Sequence, residues 1–193
     1  MTTRSDTREV RLGRETIELI GTPPQIGDRL CATFRIPPAR HADRPLTTKD
    51  LVCGLVFVST LPNIEKHACM AQIVALDEEV SAHWRGARAI HVSADADVHW
   101  REVDQFHPDI RAAAYSLCCA DHDSREAFTR AFGVGVVGHR RIAHGLFALQ
   151  DGRFVAAMIP TDQMQPVDVS SFAAAVTAGL SHNAMGAGQV KGG

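Results

Sequence analysis

Residues 51–58, Leu-Val-Cys-Gly-Leu-Val-Phe-Val, are a nearly unbroken apolar run of strand length. A strand that is apolar at every position, rather than at every second one, needs cover on both faces. The remainder of the chain must therefore supply layers on either side of it, which points to an α/β arrangement with parallel strands. The next segment fits that demand. Over His67–His83 the apolar residues Ala68, Ile73, Leu76 and Val80 recur near helical spacing, as expected of a helix laid on a sheet.

The same alternation continues downstream. Strands are expected at Ala87–Ser93 and Ala112–Cys118, and helices at Asp97–Phe106 and Ser124–Phe132. Ser124 or Asp123 is the expected N-cap of the second helix, and Gly133 its stop. Ile142–Leu149 and Arg153–Ile159, joined through Gln150-Asp-Gly152, read as a hairpin, and Val169–Leu180 as a final amphipathic helix. Upstream, alternation about Gly13 predicts an N-terminal hairpin over residues 10–19. A short strand is expected at Leu30–Ile36 and a loop at Pro37–Pro45. Residues 1–9 and the Gly-rich segment 182–193 are expected to be flexible, leaving one domain over 10–181. The order of elements is that of a thioredoxin-like α/β fold: a central mixed sheet flanked by helices, with an N-terminal β-hairpin.

The 20 Lys and Arg nearly balance the 22 Asp and Glu, for a net charge of -2. That excludes strong nonspecific attraction to nucleic acid or to an anionic membrane. No apolar stretch reaches the roughly 20 residues of a membrane-spanning helix, and the first residues lack the apolar core of a secretory signal. A cytoplasmic location is the expectation.

Five cysteines stand at 31, 53, 69, 118 and 119. An odd number without a signal peptide argues against a disulfide scaffold. Cys69 falls in the first turn of a helix, just after a buried strand and a loop containing Pro62. Unpaired backbone N–H groups and the helix dipole stabilise a thiolate there. With Lys66 and His67 close by in sequence, the thiol pKa is expected to fall below about 8.5. Cys31 and Cys53 are expected to be packing residues. Cys118 and Cys119, at a strand end, are expected to point to opposite faces, so that at most one meets the site. His67-x-Cys69 and Cys118-Cys119-x-x-His122 lack the paired spacing of a zinc site. No metal and no cofactor is expected.

Pro62-x-x-x-Lys66-x-x-Cys69 resembles the peroxiredoxin active-site pattern Pro-x-x-x-Thr/Ser-x-x-Cys, and is most similar to that of the bacterial thiol peroxidase branch. The N-terminal hairpin, Ile90-His-Val-Ser93-Ala-Asp95, Ala131-Phe-Gly-Val134 and Gly145-Leu-Phe-Ala-Leu-Gln-Asp-Gly152 resemble further segments of that branch, over roughly residues 10–180. The resemblance implies that Cys69 is the nucleophile that attacks a peroxide and that Pro62 shields it. The family's hydroxyl position holds Lys66. Its arginine position holds His144, or Arg141 if the match is shifted by three residues. Lys cannot accept a hydrogen bond as a hydroxyl does, and neutral His offers one donor where Arg offers a fork. The resolving Cys of that branch has no counterpart in Asp97–Phe106, where Asp104 sits near the place. Oxidised Cys69 would then turn to an external thiol reductant, with Cys119 or Cys118 as secondary candidates. The resemblance also implies a homodimer formed through the loops near Pro62 and Phe106.

Three functions follow from these residues. One is a thiol-dependent peroxidase. Another is an enzyme of the same fold that uses Cys69, Lys66 and His144 on a different electrophile. The third is a redox-sensing or binding protein without turnover.

Overall fold

A computed structural model describes residues 7–188, with side chains through His182. Strands β1 (Thr7–Leu12) and β2 (Glu15–Ile20) form an N-terminal hairpin that begins three residues before the expected residue 10: Thr7–Glu9, expected to be flexible, pair with Glu18–Ile20. The short strands β3 (Arg35–Ile36), β4 (Pro38–Arg40) and β5 (Leu46–Thr47) follow. Next come β6 (Leu55–Leu61), helix α1 (His67–His83), β7 (Arg88–Ser93) and α2 (Trp100–Phe106). The remainder is β8 (Ala113–Ser116), α3 (His122–Phe132), β9 (Gly135–Val136), the hairpin β10 (Gly145–Gln150) and β11 (Arg153–Met158), and α4 (Val169–Gly188).

Six strands form the central sheet in the order β11-β10-β6-β7-β8-β4. The three inner strands β6, β7 and β8 run parallel, and β10 and β4 pair antiparallel on either side. Each face of β6 enters a different core. Val56 and Val58 pack with Phe128 and Phe132 of α3 and with Val10 and Leu19 of the N-terminal hairpin. Phe57 points the other way, to Leu76 and Val80 of α1 and to Phe172 and Val176 of α4. The demand of the apolar run is thereby met from both sides. A third cluster joins Leu61, Ile64, Cys69 and Ile73 to Trp100 and Val103 of α2. It lies at the C-terminal end of β6, where the candidate site is found.

Several local expectations change. The strand expected at residues 51–58 begins only at Leu55, because Thr48–Leu51 forms a 3-10 turn closed by Asp50 on Thr47. Cys53 therefore lies exposed outside the strand, and Cys31 is also exposed, so neither is a packing residue. Of Leu30–Ile36, only Arg35 and Ile36 are in a strand. The supposed loop at residues 37–45 instead provides β4, paired to β8 despite its Pro. Proline is tolerated there because β4 is an edge.

Helix α3 starts at His122, two residues before Ser124. Asp121 is the N-cap, accepting from the Ser124 N–H at 2.7 Å, and Gly133 ends the helix at φ 63°. Asp97–His99 is a 3-10 turn leading into α2. Cys118 and Cys119 lie beyond the end of β8, both exposed, so the alternation argument does not apply to them. The expected flexible tail from His182 is helical to Gly188, and residues 189–193 lie outside the described chain. Gly179 permits α4 to lie on β11: a Cβ there would stand 1.9 Å from the Val155 carbonyl oxygen.

Candidate active site

Strand β6 ends at Leu61, and Pro62 begins the descent into α1. Asn63 shapes the turn: its side-chain oxygen accepts from the Glu65 N–H at 3.0 Å and its carbonyl from the Lys66 N–H at 3.0 Å. Lys66 is the extended N-cap of α1, which places Cys69 in the first helical turn as the sequence predicts. Its sulfur points inward and is fully buried. The Asn63 N–H donates to Sγ at 3.4 Å.

His144 lies just before β10, and its Nε2 is 3.5 Å from Cys69 Sγ. Its Nδ1 is 3.2 Å from Gln72 Oε1, one helical turn beyond Cys69. The hydrogen-bond pattern decides the tautomer. The Gln72 amide nitrogen donates to Ser59 Oγ at 2.8 Å and faces the carbonyls of Gly145 and Thr60 at 3.2 and 3.3 Å. Its oxygen accepts from the Val167 N–H at 3.3 Å. Only an acceptor is left for His144 Nδ1, which must therefore carry the proton. Nε2 is then an unprotonated acceptor aimed at the Cys69 thiol. Gln163 holds the other end of the residue, accepting from the His144 N–H at 2.6 Å.

Electrostatics here run against the sequence expectation. Burial pushes the Cys69 thiol up to about 12, outweighing the Asn63 N–H and the more distant Arg141 charge, while Asp95 adds to the rise. The lowered pKa expected from the helix start does not survive the loss of water around the sulfur. Burial also lowers His144 to about 4, so the imidazole is neutral at pH 7. The resting pair is a thiol beside a neutral base.

A second set of contacts holds the loop over the sulfur. Arg141 Nη1 donates to the Pro62 carbonyl at 2.8 Å and to Asp95 Oδ1 at 2.7 Å. Asp95 Oδ2 accepts from the Ile64 N–H at 2.8 Å. Ser116 Oγ fixes Asp95 from behind by donating to its carbonyl at 2.7 Å. Arg141 and Asp95 thus form a clasp that closes the Pro62–Ile64 loop on Cys69.

The structure brings together Cys69, His144 and Pro62, with Arg141 at the rim. Lys66 and His67 are exposed, and no side-chain contact ties either to the sulfur. Cys119 is 3.4 Å from Ser116 Oγ, on the far side of Asp95. Asp104 pairs with Arg40 of β4 instead of facing the thiol. Sequence reasoning missed Gln72, Asn63 and Gln163. Gln72 alone left a signal: it is a polar residue one turn after Cys69, on the stripe that carries Ile73, Leu76 and Val80 into the core.

Sheet order and the flanking helices define a thioredoxin-like fold, shared with solved structures of the peroxiredoxin kind. Similar solved structures include a thiol peroxidase from Chromobacterium violaceum, at 14% identity and a TM-score of 0.72, covering 89% of this chain and 96% of that one. A peroxiredoxin-like protein from Aquifex aeolicus matches at 15% identity and a TM-score of 0.68, over 89% of this chain and 97% of its own. A peroxidoxin from Mycobacterium tuberculosis matches at 17% identity and 0.61, over 80% and 97%. No family model and no curated protein sequence matches the chain. Among the described residues no helix is long and apolar enough to cross a membrane.

Proposed function

We propose that the protein is a thiol-dependent peroxidase in which Cys69 is the nucleophile and His144 its acid–base partner. The observation that carries this reading is the line Cys69 Sγ, His144 Nε2, His144 Nδ1, Gln72 Oε1, with contacts of 3.5 and 3.2 Å. When a peroxide enters, the thiol proton passes to Nε2 and the thiolate attacks the distal peroxide oxygen. The S–O bond forms as the O–O bond breaks, and the departing oxygen takes the proton back from the imidazolium. The products are Cys69 sulfenic acid and water or an alcohol, with the imidazole neutral again. An external thiol then condenses with the sulfenic acid, releasing water and leaving a mixed disulfide. A second thiol frees Cys69 as the disulfide of the reductant. His144 supplies what an arginine cannot, a removable proton for the leaving oxygen. The Asn63 N–H, which donates to Sγ at 3.4 Å, supports the thiolate as it forms.

The test is peroxide consumption with dithiothreitol by wild type, Cys69→Ser and His144→Phe. Turnover of hydrogen peroxide or an organic hydroperoxide that vanishes in both variants supports the reading. A wild type no faster than Cys69→Ser sinks it. A second reading rests on the same relay: a neutral base beside a thiol equally suits attack on a carbon electrophile. No guanidinium touches the sulfur among the described residues, which favours that alternative over an unmodified peroxide site.

A further inference from the structure

On the outer side of the Arg141 clasp lies a cleft of about 450 Å³ between α3, β9 and the turn after β9. Its charged lining is Arg125, Arg140, Arg141, His122, His139 and Glu126. Three arginines and two histidines thus share this lining with one glutamate, in a chain whose net charge is -2; His122 Nδ1 lies 3.4 Å from Asp123 and 3.9 Å from Glu126. The Glu126 carboxylate is already engaged, accepting from Arg130 Nε at 2.8 Å. Arg125 is braced from inside by the Leu117 and Ala120 carbonyls, which fixes its direction. Arg140 and His139 are exposed, and their side chains make no hydrogen bond or ion pair among the described residues. Arginine charges that share one cleft repel one another, and a bound anion relieves the repulsion. Guanidinium forks match the oxygens of phosphate and carboxylate groups.

We propose that this cleft binds a small molecule carrying two or more oxyanion charges, and that the ligand competes with Asp95 for Arg141. The cleft volume is that of a small-molecule site. Arg141 is shared between the two systems: one nitrogen closes the Pro62 loop, and the residue also lines the cleft. An anion that draws the guanidinium outward loosens its hold on the Pro62 carbonyl and on Asp95. The loop over Cys69 then opens more often, and the buried thiol becomes easier to reach. The site therefore couples anion binding to thiol access and does not depend on which electrophile Cys69 attacks.

Pyrophosphate and citrate are the probes, titrated calorimetrically into the full chain at low salt. In parallel, trapping of Cys69 by methyl methanethiosulfonate is followed by peptide mass spectrometry. One saturable site per chain is expected for at least one probe, weakening as salt rises. Pyrophosphate alone would mark a phosphate-bearing ligand, citrate alone a polycarboxylate, and both a site that reads charge. Arg140→Glu should weaken binding at least tenfold, and Glu126→Gln should tighten it. Arg140 is exposed and unpaired, so its replacement leaves the fold intact, as thermal melts will verify. The bound probe should accelerate Cys69 trapping at least threefold in wild type and not in Arg140→Glu. No saturable binding of either probe, or binding unchanged by Arg140→Glu, overturns the site. Binding without a change in Cys69 trapping overturns the coupling.

Discussion

Replacing Gln72 by Met tests the relay at the residue that gives it direction. Methionine keeps the length and fills the buried space, so the change is one of polarity. Gln72 is fully buried, and its loss strands the Val167 N–H, the His144 Nδ1–H and the Ser59 hydroxyl. Leaving a buried polar group unpaired costs about 1–3 kcal/mol. Partial relaxation at Ser59, whose hydroxyl can rotate, keeps the expected total near 2–4 kcal/mol. Urea unfolding at pH 7 measures it. The consequence for reactivity is separate. Without the Oε1 acceptor, His144 is free to carry its proton on Nε2, where it no longer accepts from the thiol. A wrong tautomer in a comparable thiol- or hydroxyl-activating relay costs up to about 10⁴-fold in rate. A drop of at least a hundredfold in Cys69 oxidation by hydrogen peroxide is therefore expected, with a flattened pH profile. Gln72→Glu, which retains an acceptor, should restore much of the rate. A Met variant that loses stability but oxidises within twofold of wild type would refute the idea that Gln72 orients His144.

Other outcomes follow from single features. Iodoacetamide near neutral pH should label the exposed Cys31, Cys53, Cys118 and Cys119 before the buried Cys69, as mapped by mass spectrometry. Lys66→Thr should change the Cys69 oxidation rate by less than about threefold, since the exposed Lys66 makes no contact with the sulfur; a large loss would restore Lys66 to the site. Gly179→Ala should destabilise by about 3 kcal/mol in chemical denaturation, because α4 would have to lift off Val155. Burial and the Arg40 charge lower His91 to about 3, and burial lowers His144 to about 4, both from an ordinary 6.5. A base whose folded pKa is depressed contributes stability above its unfolded pKa and loses it as pH falls toward the folded value. Stability should therefore decline from about pH 6.5 downward, by roughly 2 kcal/mol per histidine at pH 5. His91→Phe should remove its share in pH-dependent melts, and because both His91 ring nitrogens lack a partner among the described residues, it should cost little at pH 7.

The parts of the fold legible in the sequence were those with a strong period or a continuous apolar run. Helix α1 has the very bounds its spacing implies, and β7, the β10–β11 hairpin and α3 lie within a few residues of expectation. What was not legible depended on distant partners. β4 is a strand only because β8 accepts it, and nothing local in Pro38-Ala-Arg40 announces that. At the site, Cys69 and Pro62 were visible through the spacing of their motif, and His144 only as one of two residues that the family resemblance implied. The raised thiol pKa was hidden, since local charge and helix position say nothing about how completely Leu61, Ile64, Ile73 and Trp100 exclude water. Asp95 was visible as a segment but not as half of a clasp, because its partner Arg141 lies 46 residues away.

The two borders of the central sheet bear on how copies of the chain can meet. At one border stands β4, three residues long, opening on a proline that has no N–H to offer and ending on the buried Arg40. At the other, the segment before the first cysteine lies along β11: the Gly27 N–H donates to the Phe154 carbonyl, and the Phe154 N–H donates to that of Asp28. A typical strand of about five or six residues therefore finds no continuous ladder of free backbone groups at either border. Growth of the sheet from one molecule into the next is blocked, which guards against fibrillar aggregation. The exposed apolar side chains Val98 and Phe106 lie just before α2 and at its end, and the buried Trp100 and Val103 of that helix pack with Cys69.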